Sequence, residues 1–219
     1  MASARVIPLF PLGSVLVPGL VLPLHIFEPR YRQLVSDIGD LPEEERGFGI
    51  VAIRDGREVG VDGVRALHDV GTIASLREVS MHPDGRSDIV TVGTERFRIV
   101  RLVDGKPYAQ AEIEILAEEP GDASLPLARS VDARFRAYRE LLSEETDESE
   151  LPDDPRVLSY LVAAAVVADV ETRQSFLGAP DDSARLRAEL DFLRREVAVV
   201  QSLPSLPAVD LAREPYGLN

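Results

Sequence analysis

The stretch HIFEPRYRQLV, residues 25–35, crowds a histidine, a carboxylate and two guanidiniums beside two aromatics. Read as chemistry, it is a candidate site. Read as structure, it is the joint between a strand and a helix, and the residue order favours the joint. Proline suits the first helical position, where its missing amide costs nothing, so Glu28-Pro29 is a sensible helix start. The acidic group also complements the positive end of the helix dipole. Tyr31, Leu34, Val35 and Ile38 then fall on one face, while Arg30, Arg32 and Gln33 point elsewhere. The spacing predicts a helix from about Pro29 to Ile38. Phe27 and Tyr31 are expected to pack inward, with Glu28 and Arg30 tying neighbouring loops.

Upstream of the joint, residues 6–27 are largely apolar but are interrupted by Pro8, Pro11, Pro18 and Pro23. Each proline removes an amide donor and clashes with a continuing helix, so an export or membrane-spanning helix does not form easily. The run reads instead as extended pieces joined by turns at PLGS and VPGL, ending in the buried strand VLPLHI.

Downstream, FGIVAI, VGV, GTIASLREVS, DIVTVGT, RFRIVRLV and YAQAEIEIL follow as strands. They are separated by RDGRE, HPDGRS, GTE and DGKP. Alternating polarity in RFRIVRLV and AQAEIEIL marks strands with one wet face. Asp84-Gly85 and Asp104-Gly105 are hairpin residues. Many short strands with regular turns predict a small barrel or sandwich up to about residue 118.

After AEEPGDAS the period becomes helical. LARSVDARFRAYRELLSE sets Val131, Phe135, Tyr138, Leu141 and Leu142 on one side. An acidic linker, TDESELPDDP, follows. RVLSYLVAAAVVADV is apolar almost all round and is expected to be the buried helix of this half. Gly178 and Pro180 stop a helix, and residues 181–183 can cap the next. Leu186, Leu190, Leu193, Val197 and Val200 form a seam that wants a helix from within the chain or from a partner, the first being favoured. The class is therefore α+β, with strands over 1–118, helices over 119–205 and a tail over 206–219.

Composition narrows the function. The chain has 219 residues, no cysteine, and 24 basic against 38 acidic residues, for a net charge of −14. Phosphate neutralisation drives nucleic-acid binding, so nucleic acid and anionic membranes are disfavoured partners. A chain without cysteine has no thiolate zinc site and no thiol nucleophile, and a cytoplasmic address is the default. Lys106 is the single lysine, and proline follows it. That excludes a P-loop within this sequence and leaves a Ser–Lys dyad or Schiff base no well-placed amine. His25, His68 and His82 are the histidines, and none sits at metal-ligand spacing in sequence. His25 reads as a core or rim residue, and the other two as loop residues. GFGIVA matches a dinucleotide-binding pattern on paper, but its glycines open a strand instead of joining strand to helix. No catalytic, metal or cofactor residue is expected, and no enzyme activity.

The residues from Ile7 through Val35, IPLFPLGSVLVPGLVLPLHIFEPRYRQLV, resemble the start of the N-terminal, substrate-binding domain of Lon proteases. The likeness continues through FGIVAI, VGTIASL, DIVTVGTERFRIV and PYAQAEIEIL, and more weakly through RQSFLGAPDDSARLRAEL. The resemblance implies a six-stranded PUA-like β pseudobarrel with one inserted helix, followed by a C-terminal helical bundle. It also implies a bacterial module of protein quality control that holds unfolded or tagged polypeptides. The ATPase and Ser–Lys protease domains that follow in Lon are not expected of this sequence, which reads as a stand-alone member. In the family motif, Phe27, Glu28, Pro29, Arg30 and Tyr31 are expected to be structural. Candidate peptide contacts are Phe10, Leu12 and Val15 in the proline-broken loop, and Phe48 and Ile50 on a strand edge open to an added strand. The alternatives are an adaptor that docks on a protease or chaperone, and a small-ligand or RNA-binding PUA-like protein. Oligomeric state is not legible.

Overall fold

The structure is a computed structural model that describes residues 5–56, 64–118, 120–122, 124–142 and 151–202, with the backbone alone at residues 200 and 202. The predicted strand VGV, part of the acidic linker and the tail lie outside the described residues. Seven strands come first: β1 (Arg5–Leu12), β2 (Val21–Ile26), β3 (Gly47–Gly56), β4 (Val64–Leu67), β5 (Val70–Met81), β6 (Ser87–Val103) and β7 (Gln110–Ile115). Helix α1 (Pro29–Gly39) lies between β2 and β3, and α2 (Ser124–Leu142), α3 (Pro155–Ala165), α4 (Val170–Leu177) and α5 (Asp182–Ser202) follow.

Five strands close a ring in the order β1–β7–β6–β5–β3 and back to β1, with β2 added to β6 and β4 to β3. Proline chemistry explains how β1 serves two neighbours. Residues 5–8 pair antiparallel with β7, and residues 9–12 pair parallel with β3. The handover falls at Pro8, which has no amide to give, and Leu9 donates to the Ala109 carbonyl at 2.8 Å. Inside the ring, a Cβ on Gly49 or Gly71 would lie 2.6 Å from the buried Phe97 ring. Glycine is what lets that ring fill the interior.

The structure departs from the sequence expectations at several elements, and β4 is a strand the sequence reading did not expect. The segment GTE is no turn, because β6 runs unbroken through it. Residues 94 and 95 form a bulge where the β5–β6 register shifts between Thr72/Arg96 and Ala74/Gly93, and a bulge bends a strand without ending it. VLPLHI is not a buried strand either. It is an edge strand whose burial alternates and whose Val21 is 57% exposed, a place where Pro23 is tolerated. RVLSYLVAAAVVADV does not form one helix. Val166 is extended, and Asp169 caps a new helix by accepting from the Thr172 amide at 2.7 Å. Finally, FGIVAI is not an edge, since β3 pairs with β1, β4 and β5.

The helices α2, α3 and α5 pack on one another and on the sheet. Val131, Phe135 and Tyr138 join Leu186, Leu190, Leu193 and Val197 in one buried cluster that also takes in Val15, Val17, Ala52 and Val70. The leucine seam of α5 is thus filled from within the chain through Val197, and the side chain of Val200 lies outside the described residues. Leu141 and Leu142, at the end of α2, stay exposed.

Candidate functional site: a groove between sheet and helices

The turn after β1 forms one wall of a groove. Gly19 adopts φ 85°, a conformation glycine takes without penalty. Its amide donates to the Gly93 carbonyl at 2.8 Å, and the Gly93 amide donates to the Leu20 carbonyl at 2.9 Å. A Cβ on Gly93 would lie 2.4 Å from the Val17 carbonyl oxygen, so the turn can sit this close only because residue 93 is glycine. Helix α3 forms the other wall. Pro155 opens it, and Asp154 caps it by accepting from the Arg156 amide at 2.8 Å. This orientation aims Val157, Leu161 and Ala164 across at Val17 and Leu20, around a space of about 720 Å³. Val157 is 45% exposed and Leu20 37%, so the walls face solvent with apolar atoms.

The floor is charged but tied down. Glu118 accepts from Arg96 Nε and the Tyr160 hydroxyl, and its second oxygen lies 3.4 Å from Arg185 Nη2. Arg96 is buried and also donates through Nη1 to the Leu177 and Ala179 carbonyls, at 2.8 and 2.6 Å. The Arg185 guanidinium lies 3.8 Å over the Tyr160 ring, a cation–π contact. Burial pushes the Tyr160 hydroxyl above its ordinary pKa and Arg185 below its own, the latter opposed by Tyr160 and Glu118. One turn along α5, buried Glu189 has no hydrogen-bond partner for its carboxylate oxygens among the described residues. Desolvation raises it well above the usual carboxylate range, although Arg185 pulls the other way.

Among the described residues lining the groove there is no histidine, lysine or serine. What the arrangement offers is an apolar trough with a fixed polar floor, suited to holding apolar side chains.

The residues nominated from sequence lie elsewhere. Phe10 and Tyr31 stack with ring centroids 4.0 Å apart, and Arg30 sits 4.5 Å over the Tyr31 ring. Arg30 Nε donates to Glu28 Oε2 at 3.0 Å, so this pair ties the start of α1 to the residue that precedes it. Pro29 holds the first helical position, but Glu28 makes no side-chain cap. Phe27 does not pack inward. It is 50% exposed and lies against His25.

The candidate peptide contacts are mostly buried. Phe10, Val15, Phe48 and Ile50 are all in the core, and Leu12 is half-buried. Side chains alternate along a strand, so Phe10, Phe48 and Ile50 face away from the Phe97 cluster and pack against Tyr31, Leu34, Val35 and Ile38 of α1, while Val15 joins the cluster of the helical half. His68 lies in the turn between β4 and β5, as expected of a loop residue, but it is buried, 3.4 Å from Glu171. Lys106 pairs with Asp37 at 2.9 Å.

Sequence reasoning missed Arg96, Glu118, Tyr160 and Arg185. Arg185 and Glu189 left a signal, since they interrupt the apolar side of α5 one turn apart. Glu118 left none.

The fold class has solved counterparts. A Lon N-terminal domain protein from Xanthomonas campestris is 26% identical and superposes with a TM-score of 0.63, covering 86% of this chain and 98% of that one. The N-terminal domain of a Mycobacterium avium complex Lon protease shares the fold at 18% identity and a TM-score of 0.64, covering 87% and 98%. The family described as the ATP-dependent protease La (LON) substrate-binding domain matches residues 6–195, and the chain belongs to it. Lon protease 2 of Myxococcus xanthus is 27% identical over 208 residues, 90% of this chain. Lon protease 2 of Thermus thermophilus is 29% identical over 196 residues, 87% of this chain. The chain spans 24% of the length of each of these proteases. No described helix is long and apolar enough to cross a membrane.

Proposed function

We propose that this chain is a non-catalytic, cytoplasmic polypeptide-binding module that holds apolar side chains of unfolded or tagged proteins in the groove between the 17–20 turn and α3. The observation that carries the reading is the groove itself. It is wide enough for side chains, is lined by exposed Leu20 and Val157 with Arg156 among them, and holds a Glu118 that Arg96 and Tyr160 already engage. Family membership supports a role in substrate recognition. The closed five-strand ring and the four helices after it support the PUA-like barrel and helical bundle as its two parts.

The test is fluorescence anisotropy with a labelled, permanently unfolded casein-like chain and no ATP. Wild type is expected to bind with a dissociation constant on the order of micromolar or weaker. Leu20→Glu and Val157→Glu place charges on exposed positions of the two walls, so both should fold and lose binding. Binding unchanged by both substitutions would move the site off the groove. No binding at all would leave the adaptor reading, in which the helical half docks on a protease or chaperone. Peptide or ATP hydrolysis by the purified chain, abolished by one substitution, would sink both.

A further inference from the structure

A second cluster lies on the three-stranded wing of β2, β6 and β5, on residues the groove does not use. His25 on β2 stands directly opposite Asp88 on β6, and Asp88 in turn faces Ser80 on β5. Side chains alternate along a strand, so residue 82 shares the face of Ser80 and Asp88. The His82 amide donates to the Arg86 carbonyl at 2.8 Å and keeps the hairpin closed at that point. Register therefore gathers residues 63 and 6 positions away around one carboxylate. His25 Nδ1 lies 2.6 Å from Asp88 Oδ1, and His82 Nε2 lies 2.7 Å from Asp88 Oδ2. The three ligand atoms lie within 4.8 Å of one another, the one such trio of His, Asp and Glu among the described residues.

We propose that His25, His82 and Asp88 form a surface site for a divalent transition metal of the zinc class, with water completing the coordination. Two imidazoles and a carboxylate are a ligand set that zinc takes with an open position left over. A zinc ion bonds such ligands at about 2.0–2.2 Å, so the donor atoms need to stand roughly 3–3.5 Å apart around it. The present hydrogen bonds hold them a little closer than that. All three side chains are about half exposed, at 46%, 40% and 55%, so each can retreat that distance and an ion can enter from solvent. The nearby Arg86 guanidinium is turned to Asp84 at 2.7 Å. The chain's net charge of −14 favours cations at its surface. Bound there, the ion would staple the edge strand β2 to the β5–β6 hairpin across β6.

The experiment is titration calorimetry on the full, tag-free, metal-stripped chain at neutral pH, with zinc alone and with magnesium as a control. Melting is followed in parallel. Wild type should take up one equivalent of zinc, ignore magnesium, and melt higher with zinc. His25→Ala, His82→Ala and Asp88→Asn should each weaken zinc at least about ten-fold, since even outer-shell partners typically cost 10–100-fold. Each should also abolish the melting shift. Affinity should fall as pH is lowered, since protons compete with the metal for its ligand atoms. Metal-free circular dichroism checks that each variant is folded, and Asp88→Asn, which keeps the side-chain shape, stands in if an alanine variant is not. No binding at millimolar zinc, or binding that survives all three substitutions, overturns the site.

Discussion

The joint at residues 25–35 and the seam beneath the groove invert one another. The joint packs its charges, rings and proline into eleven consecutive positions, and in space several of them still meet as chain neighbours. Arg30 pairs with Glu28 two residues back and lies over the Tyr31 ring, and Phe27 lies against His25. The seam is invisible in sequence, because Arg96, Glu118, Tyr160 and Arg185 are scattered over 90 positions. In space it is the most charged buried place described, and it fastens the strand ring to the helices. Density of functional groups along a chain reports local geometry. Density in space depends on which distant segments the core brings together.

The largest expected effect lies in the seam. Arg185 is fully buried, and removing it leaves Glu118 and Tyr160 partly unpaired. Arg185→Ala should cost about 3–5 kcal/mol in urea unfolding, the usual penalty for breaking one side of a buried pair. A loss below 1 kcal/mol, on the scale of an exposed pair, would erase the contrast with the joint.

At the joint, Glu28→Ala and Arg30→Ala should each cost about 1–3 kcal/mol, nearer the lower end, since both side chains keep some contact with water. Polypeptide binding should change only as far as stability does. Variants that melted like wild type yet bound nothing would make the joint a site after all.

A smaller effect marks the far end of α1. Asp37 accepts from the Tyr108 hydroxyl at 2.6 Å and from Lys106 and Gln33, and these bonds lower its pKa from 3.8 to about 2. A lowered folded pKa means stability that is present above the unfolded value and lost as pH falls through the folded one. Wild type should therefore lose roughly 1–2 kcal/mol between about pH 4 and pH 2 through this group, after allowing for its partial exposure. Asp37→Asn should flatten that part of the acid unfolding curve. An unchanged curve would remove Asp37 from the ties that hold α1 to the β6–β7 turn.

The smallest effect has the opposite sign. Burial raises Glu189, so its contribution is most favourable at low pH and declines as pH rises above the ordinary carboxylate range. Glu189→Gln should match wild type at mildly acidic pH and melt slightly higher in alkaline buffer. A variant that melts lower throughout would mean that Glu189 is ionised and paired with Arg185 in the native state.

Where the outcome depends on neighbours in the chain, sequence was sufficient. Helix α1 begins at Pro29, as proline's chemistry requires, and its buried face is Tyr31, Leu34, Val35 and Ile38. The two Asp-Gly pairs turn hairpins with glycine at positive φ. The period changes where the strands give way to α2 at Ser124. These features follow from backbone stereochemistry and local polarity, which travel with the residues themselves. The Lon-type motif was legible for the same reason.

Tertiary structure decided the rest. Whether VLPLHI is a core or an edge strand depends on what lies beside it, and no strand does so on its outer side among the described residues. Whether Phe10, Phe48 and Ile50 are surface or core depends on α1 packing over their face of the strands, a contact between segments far apart in sequence. The groove, its Glu118 floor and the histidine pair around Asp88 exist only because register fixes residues far apart in sequence within a few ångströms. Periodicity shows which side of a strand is apolar; only packing shows what that side meets.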